Sequence, residues 1–442
     1  MITTRPAIAA APSGSPSGPP PISEVTDRPI WRNGDFVRLW LSQVAAAMGA
    51  GVSKLATPLL ALALTGSPAD AGLIASMQTL PFLVIGLFAG VIIDRVDRRR
   101  LLMACDVARV LSVGSVPVAW WFGALTIPQL YVVSFVQGAS SAFANLAQVS
   151  ALPRVVTRGQ ITAAQAFNQA SNGVATVVGP ALGAAIVAIG ATTTAGAALG
   201  YAFDTTTYML SITALLTVTT ALQVTRPPDP PGSSLARRVQ SDIGEALTYL
   251  WNDGDLRGMM AMNFIQRALL GPLGLAAIVL AQTALQAGTR EVGWVLTAGG
   301  VGGVTAALLA PTLRRRFPTW PLLIAIAFAN AAGFAILAAS PGLAVAMVGM
   351  AVASGCEALV GIVQVAFRLA AIPDALQGRV NSAYRWVAYT GMTLGTAGAG
   401  FLLAAIGPRA TFGIATAIMV ALAVAVILVR QVRGVAPSHP MG

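Results

Sequence analysis

The chain has 442 residues, 56% of them hydrophobic and only 10% charged, with a mean hydropathy of +0.74. An average soluble domain carries about 25% charged residues, and soluble monomers rarely expose large apolar patches. The composition therefore excludes an ordinary soluble enzyme, a secreted disulfide scaffold and a disordered chain, and indicates an all-α polytopic membrane protein. The formal charge of +11 suits nucleic acid only if the cations lie away from membrane spans, and they flank them.

In chain order, residues 1–35 form a tail whose first thirty positions hold seven prolines, much Ser and Ala, and no apolar signal-peptide region. A disordered cytoplasmic segment is expected there. A spanning helix needs roughly 20 mostly apolar residues. Twelve such stretches follow, at about 36–64, 70–93, 100–122, 126–152, 160–189, 196–223, 257–285, 291–313, 319–339, 342–371, 379–406 and 410–430. Breakers such as Pro58, Pro81, Pro117, Pro180 and Pro272 are tolerated in spanning helices when neighbours resatisfy the backbone. Six spans fall in residues 36–224 and six in 257–431. Between them, residues 225–256 open on Arg226-Pro227-Pro228-Asp229-Pro230-Pro231-Gly232 and continue as an amphipathic stretch from Leu235 to Trp251. That is the pattern of a linker whose helix lies on a membrane surface. Residues 432–442 are a short second tail.

Placing both tails and the even-to-odd connections on one side puts twenty arginines there and two, Arg290 and Arg409, on the other. This bias predicts a multi-pass protein of the plasma (inner) membrane with both termini cytoplasmic. It accounts for the charge without nucleic acid. The single histidine, His439, and the two cysteines, Cys105 and Cys356, offer neither a metal set nor a disulfide, and no cofactor is expected. The two halves echo each other. Gly159-Gln160-Ile161-Thr162-Ala163-Ala164 and Gly378-Arg379-Val380-Asn381-Ser382-Ala383 lie about 220 residues apart, half the chain length, and Gly72 and Gly293 occupy similar surroundings. Repeats of this kind place a transporter's substrate site between the halves, near the bilayer midplane.

After the second span comes Gly90-Val91-Ile92-Ile93-Asp94-Arg95-Val96-Asp97-Arg98-Arg99. Gly90 permits close helix approach, and Asp94 at a helix end suits a neighbouring helix N-terminus or an arginine. Arg95, Arg98 and Arg99 offer fork donors to that carboxylate and to lipid phosphates. Such a cluster can latch one of two conformational states; a plain positive-inside loop is the simpler alternative. The loop resembles the G-x-x-x-D-R-x-x-R-R signature of the major facilitator superfamily. With its aspartate at Asp97 it is similar to the branch containing enterobactin and macrolide exporters. The counterpart after the eighth span, Arg314-Arg315-Arg316, lacks the aspartate. In the fifth span, Gly179, Pro180 and Gly183 match the antiporter motif G-x-x-x-G-P-x-x-G-G, with Ala175 and Ala184 in place of two glycines; a generic kinked helix is the alternative there. The resemblance implies twelve transmembrane helices in two pseudo-symmetric six-helix bundles, working by alternating access.

Ionisable residues within spans are costly and functional by default. Glu357, near the middle of the tenth span, is the first candidate for proton coupling, followed by Asp204, which has hydroxyl neighbours in its own helix, and by Asp106. Asp106 and Arg109 lie three apart on one helix face and are read chiefly as a structural pair. In the resembled fold the first, seventh and tenth helices line the central cavity, so Lys54 and Arg267 are cavity candidates, each able to pair with Glu357. Arg385 enters the eleventh span and can reach either carboxylate. Arg368, near the end of the tenth span, is expected to snorkel to the surface. Gln165, Asn168, Gln169 and Asn172 form one polar face of the fifth span, either lining the path or joining helices.

Together these features describe a secondary active transporter. The expectation is a proton-coupled efflux antiporter of the multidrug-resistance kind, exporting a small amphipathic drug, siderophore or secondary metabolite. The expected partners are that substrate, protons and membrane lipids, with no nucleic acid, and the chain is expected to act as a monomer. A metabolite or lipid importer of the same fold and a transporter-like sensor are the alternatives. No G-x-x-x-x-G-K-[ST] loop, H-E-x-x-H or G-x-S-x-G occurs, so neither direct ATP drive nor an enzyme is indicated.

Overall fold

A computed structural model of the protein describes residues 29–85, 96–220, 222, 244, 248 and 250–432. The chain is all-helical in these parts. The helices are α1 (Gly34–Thr65), α2 (Pro68–Ile85), α3 (Arg98–Trp121), α4 (Ile127–Val155), α5 (Ile161–Val187), α6 (Thr193–Leu216), α7 (Gly254–Ala284), α8 (Thr289–Arg316), α9 (Thr319–Ala339) and α10 (Leu343–Ala371). The stretch Asp374–Val432 is two helices, α11 (374–406) and α12 (408–432), parted at Gly407, whose φ of 77° only glycine adopts readily. The expected amphipathic linker lies mostly outside the described residues. Within it Gly244, Thr248, Leu250 and Trp251 are helical.

Local chemistry starts and stops these helices. Asn33 caps α1 by accepting from the Phe36 amide at 3.1 Å, while its amide donates to Val155 O at 2.6 Å and ties α1 to the end of α4. Ser67 caps α2 with Pro68 in the first turn, and Asp97, Thr192 and Asp253 cap α3, α6 and α7. Proline interrupts rather than ends two spans. A turn at Gln78–Thr79 precedes Pro81 in α2, and Gly271–Pro272 divides α7, which finishes in a π-helical turn, Leu280–Ala284.

Nine of these helices, and the stretch Leu376–Val429, are long and apolar enough to cross a bilayer. The exception is α6, which carries Asp204, Thr205, Thr207, Tyr208 and Ser211 turned inward and buried. It packs between α1 and α3, so its polar face meets protein rather than lipid.

Helices α1–α6 and α7–α12 form two bundles that meet along two related seams, α2 with α11 and α5 with α8. Small residues set the approach. A Cβ on Gly72 would stand 2.7 Å from the Cα of Gly400, and one on Gly300 would stand 2.8 Å from Thr176 O. Gly72 and Gly293, alike in sequence surroundings, thus both lie at seams, since Gly293 faces Ala184 of α5. On the face away from the chain ends, one buried apolar cluster joins the bundles, running from Leu59, Ile74 and Leu130 to Ile278, Val292 and Leu337. Toward the face that bears the chain ends the cores are separate, around Phe36, Leu102 and Leu152 in one bundle and Met259, Leu323 and Val363 in the other. The bundles are therefore welded on one face, and an opening lies between them on the other.

Candidate functional site

That opening is a cavity of ≈ 940 Å³ walled by α1, α5, α7, α8 and α10. Its lining runs from Arg314 and Leu369, at the terminus-bearing ends of α8 and α10, to Lys54, Gly274 and Leu296 at mid-depth. Most of the wall is Gly, Ala and aliphatic. A second space of ≈ 430 Å³ extends it into the first bundle, below Lys54, where Ser141, Asn145, Gln148, Asn172, Arg109 and Tyr208 line it.

Five of the expected site residues, Lys54, Gln169, Pro180, Arg267 and Glu357, line the main cavity, and two of them pair. Arg267 of α7 donates Nη1 to Glu357 Oε1 of α10 at 2.8 Å. The pair is open to the cavity, with 29% and 37% of the two side chains exposed, so water and protons reach it. Lys54 of α1 is exposed in the same cavity. Of the two cations able to pair with Glu357, the structure joins Arg267 to it, and Lys54 has no ion pair among the described residues.

The other carboxylates sit deeper in the first bundle. Asp106 accepts from Arg109 Nη1 at 3.1 Å and from the Ser211 hydroxyl at 2.6 Å. Arg109 also donates to Ser141 at 3.0 Å and lies 5.0 Å above the Tyr208 ring. This is the geometry of a structural pair that ties α3 to α4 and α6. Asp204 is fully buried and accepts from the Ser53 hydroxyl and from Gln137 Nε2, the latter at 3.0 Å. Gln137 in turn accepts from Gln78 at 3.2 Å. Asp204 thus binds α1 and α4 to α6, and through Gln137 reaches α2.

The polar face of α5 is divided. Gln169 lines the main cavity, Asn172 lines its extension, Gln165 is exposed and Asn168 is half-buried. Gly179 and Gly183 form a packing seam against α1. A Cβ on Gly179 would stand 2.7 Å from the Gly51 Cα, and one on Gly183 3.1 Å from Val52 O. Pro180 lines the cavity beside them. Arg385 lies apart, in a crevice between the bundles with Phe82, Trp386 and Tyr389, and has no ion pair to either carboxylate. Of the arginine loop, Gly90, Asp94 and Arg95 lie outside the described residues. Arg98 donates to Ser150 O at 3.1 Å and Leu222 O at 3.0 Å, and Arg99 to Leu215 O at 2.9 Å and Leu216 O at 2.5 Å. Arg99 therefore caps the C-terminus of α6, where cations are favoured.

One expectation is corrected. Arg368 does not snorkel: it is buried, with its guanidinium 3.7 Å from the Tyr384 ring centroid and Nε donating to Asn381 at 3.0 Å. An aromatic face and an amide satisfy it inside the bundle, so it gains nothing by reaching outward. Through Tyr384 it adjoins a network of neutral side chains that the sequence does not reveal. Tyr384 donates to Gln364 at 2.7 Å, and Gln364 accepts from Asn263 at 2.7 Å and donates to Gln266 at 3.3 Å. Also missed was the α4 row Ser141, Asn145 and Gln148. Its four- and three-residue spacing is as legible as that of α5.

Residues 28–439 match the model of a protein family described as transmembrane secretion effector. The chain is 30% identical over 385 residues to the multidrug efflux pump Tap of Mycobacterium tuberculosis, covering 85% of this chain and 88% of that protein. It is 23% identical over 155 residues to macrolide efflux protein A of Streptococcus pyogenes, covering 35% and 38%. Among solved structures it superposes on a bacterial homologue of the iron transporter ferroportin in an inward-facing state with a TM-score of 0.69 at 14% identity, covering 90% of this chain and 99% of that one. Its two-bundle fold, its arginine loop and the reach of the family match agree: the chain belongs to the transmembrane secretion effector family of major facilitator superfamily transporters.

Proposed function

We propose that this protein is a secondary active exporter that moves a small amphipathic, drug-like compound out of the cell in exchange for protons. The efflux pumps among its relatives support the direction and the substrate class. The observation that carries the coupling is the Arg267–Glu357 pair, set in an otherwise mostly apolar cavity wall and open to water. Its carboxylate has two alternative partners, a guanidinium and a proton. Exchange of one for the other changes the cavity's charge by one and frees Arg267, and a change of that kind is able to bias a two-state bundle.

In this reading Glu357 carries the proton, and Asp204 is the second choice. Asp106 is held in place by Arg109 and Ser211. The loop from Gly90 to Arg99 acts as the latch, anchored by Arg98 to α4 and to Leu222 beyond α6 and by Arg99 to the end of α6, with Asp94 as its switching group. Residues 36–224 and 257–431 are the moving halves, 225–256 the linker, and 1–35 and 432–442 cytoplasmic tails, so the cavity opens to the cytoplasm. The protein acts as a monomer and needs no cofactor. The test is accumulation of a panel of drug-like compounds in inverted membrane vesicles, with and without an imposed proton gradient. Gradient-dependent accumulation of at least one compound is expected. Uptake that ignores the gradient across the panel would remove proton coupling.

A further inference from the structure

The cations and carboxylates of the cavity do not balance, and the excess has an address. Among the described residues Glu357 is the one carboxylate on either cavity lining, and Arg267 already engages it. Lys54 stands where the two spaces join and lines both. Among the described residues it has no carboxylate partner and no hydrogen bond. Arg109, across the smaller space, is neutralised by Asp106, and the mouth of the main cavity adds another cation, Arg314.

The groups around Lys54 point to the same chemistry. An ammonium offers only donors. The smaller space adds amide donors from Asn145, Gln148 and Asn172. The main cavity, by contrast, presents Leu296, Met350, Ile362 and Val365. A ligand filling both spaces has an apolar body against α8 and α10 and an acceptor-rich head in the first bundle. A lone ammonium within a membrane protein is costly unless it meets an anion, and in a partly dehydrated cavity its attraction for one is stronger than in bulk water.

We infer that Lys54 is the recognition residue for an oxoanion group of the substrate, so that the exported compounds are amphipathic organic anions whose carboxylate or sulfonate sits in the first-bundle space. This rests on reading the cavity as the substrate site. It is also consistent with export, because a membrane potential negative inside expels anions.

The test is equilibrium binding to the purified full-length protein in lipid nanodiscs, read by fluorescence anisotropy, with two dyes of one xanthene body and opposite charge: anionic fluorescein and cationic rhodamine 123. Wild type should bind fluorescein at least about tenfold more tightly than rhodamine 123, with an affinity that falls as salt rises. Lys54→Met should erase that preference, while Lys54→Arg keeps it. Undetectable fluorescein binding, equal or tighter binding of rhodamine 123 by wild type, or fluorescein affinity unchanged in a monodisperse Lys54→Met variant would each overturn the inference. No gradient is applied, so failure of proton coupling at Glu357 leaves this measurement intact.

Discussion

The two bundles share a packing plan and differ in what they bury. Each is held by glycine-tight helix pairs, α1 with α5 through Gly51 and Gly179 in the first, and α7 with α11 through Gly271, Gly391 and Gly395 in the second. Inside the first bundle lies a charged network, Asp106, Arg109 and Asp204 with their hydroxyl and amide partners. Inside the second lies a network of amides and a tyrosine around Gln364, with Arg368 laid on Tyr384. At the cavity the pattern inverts. Among the described residues the second bundle presents a paired cation and anion, and the first presents Lys54 without an ion pair. Backbone approach is what duplicated halves retain, because a seam tolerates few residues. Polar chemistry is free to diverge, and divergence makes the cavity asymmetric.

The largest effect expected from this contrast is at the buried pair. Asp106→Ala strands Arg109 in the first bundle and should cost about 3–5 kcal/mol, whereas Asp106→Leu with Arg109→Met should recover most of it. Glu357→Gln, at a pair about a third exposed to the cavity, should change stability by less than about 1 kcal/mol. Thermal unfolding in detergent distinguishes the two. Next comes the seam. A Cβ at Gly395 would fall on the Ala268 backbone, while one at Gly398 meets nothing within 4 Å. Gly395→Ala should therefore destabilise by about 1–3 kcal/mol, and Gly398→Ala should be neutral or slightly stabilising. In the amide network, Gln364→Leu removes the shared partner of Asn263, Gln266 and Tyr384. Hydrogen bonds within membranes are modest, so a loss of about 0.6–1.7 kcal/mol is expected. Arg99→Gln, at the end of α6, should cost the least, about 0.3–1 kcal/mol.

Much of the fold was legible because lipid imposes it. Twelve apolar stretches, two halves with a common offset and an arginine bias between connections are all one-dimensional patterns. The sites were less so. The apolar stretches placed Glu357, Lys54 and Arg267 within spans, and the family resemblance implied that those helices share one cavity, yet only three dimensions show that Arg267 is the partner and that Lys54 has none among the described residues. Arg368 looked like a residue near a helix end with water in reach; nothing in its own sequence reveals that Tyr384 of the next helix covers it. The polar stripe on α5 was visible, but its division between cavity and packing follows from the contact with α8, which hydrophobic spacing does not encode. Asp204 sits among hydroxyls of α6 itself, and its actual partners, Ser53 and Gln137, come from α1 and α4.

The central claim is that the Arg267–Glu357 pair exchanges its guanidinium for a proton during transport. The most direct test is concentrative uptake of a gradient-dependent substrate into inverted vesicles by wild type and by a well-folded Glu357→Gln variant, with and without a proton gradient, alongside gradient-free exchange of the same substrate. The glutamine holds the site in its uncharged form. The account predicts that gradient-driven accumulation is lost while exchange persists. If Glu357→Gln still concentrates substrate with the wild-type dependence on the gradient, Glu357 does not carry the proton and the account is contradicted.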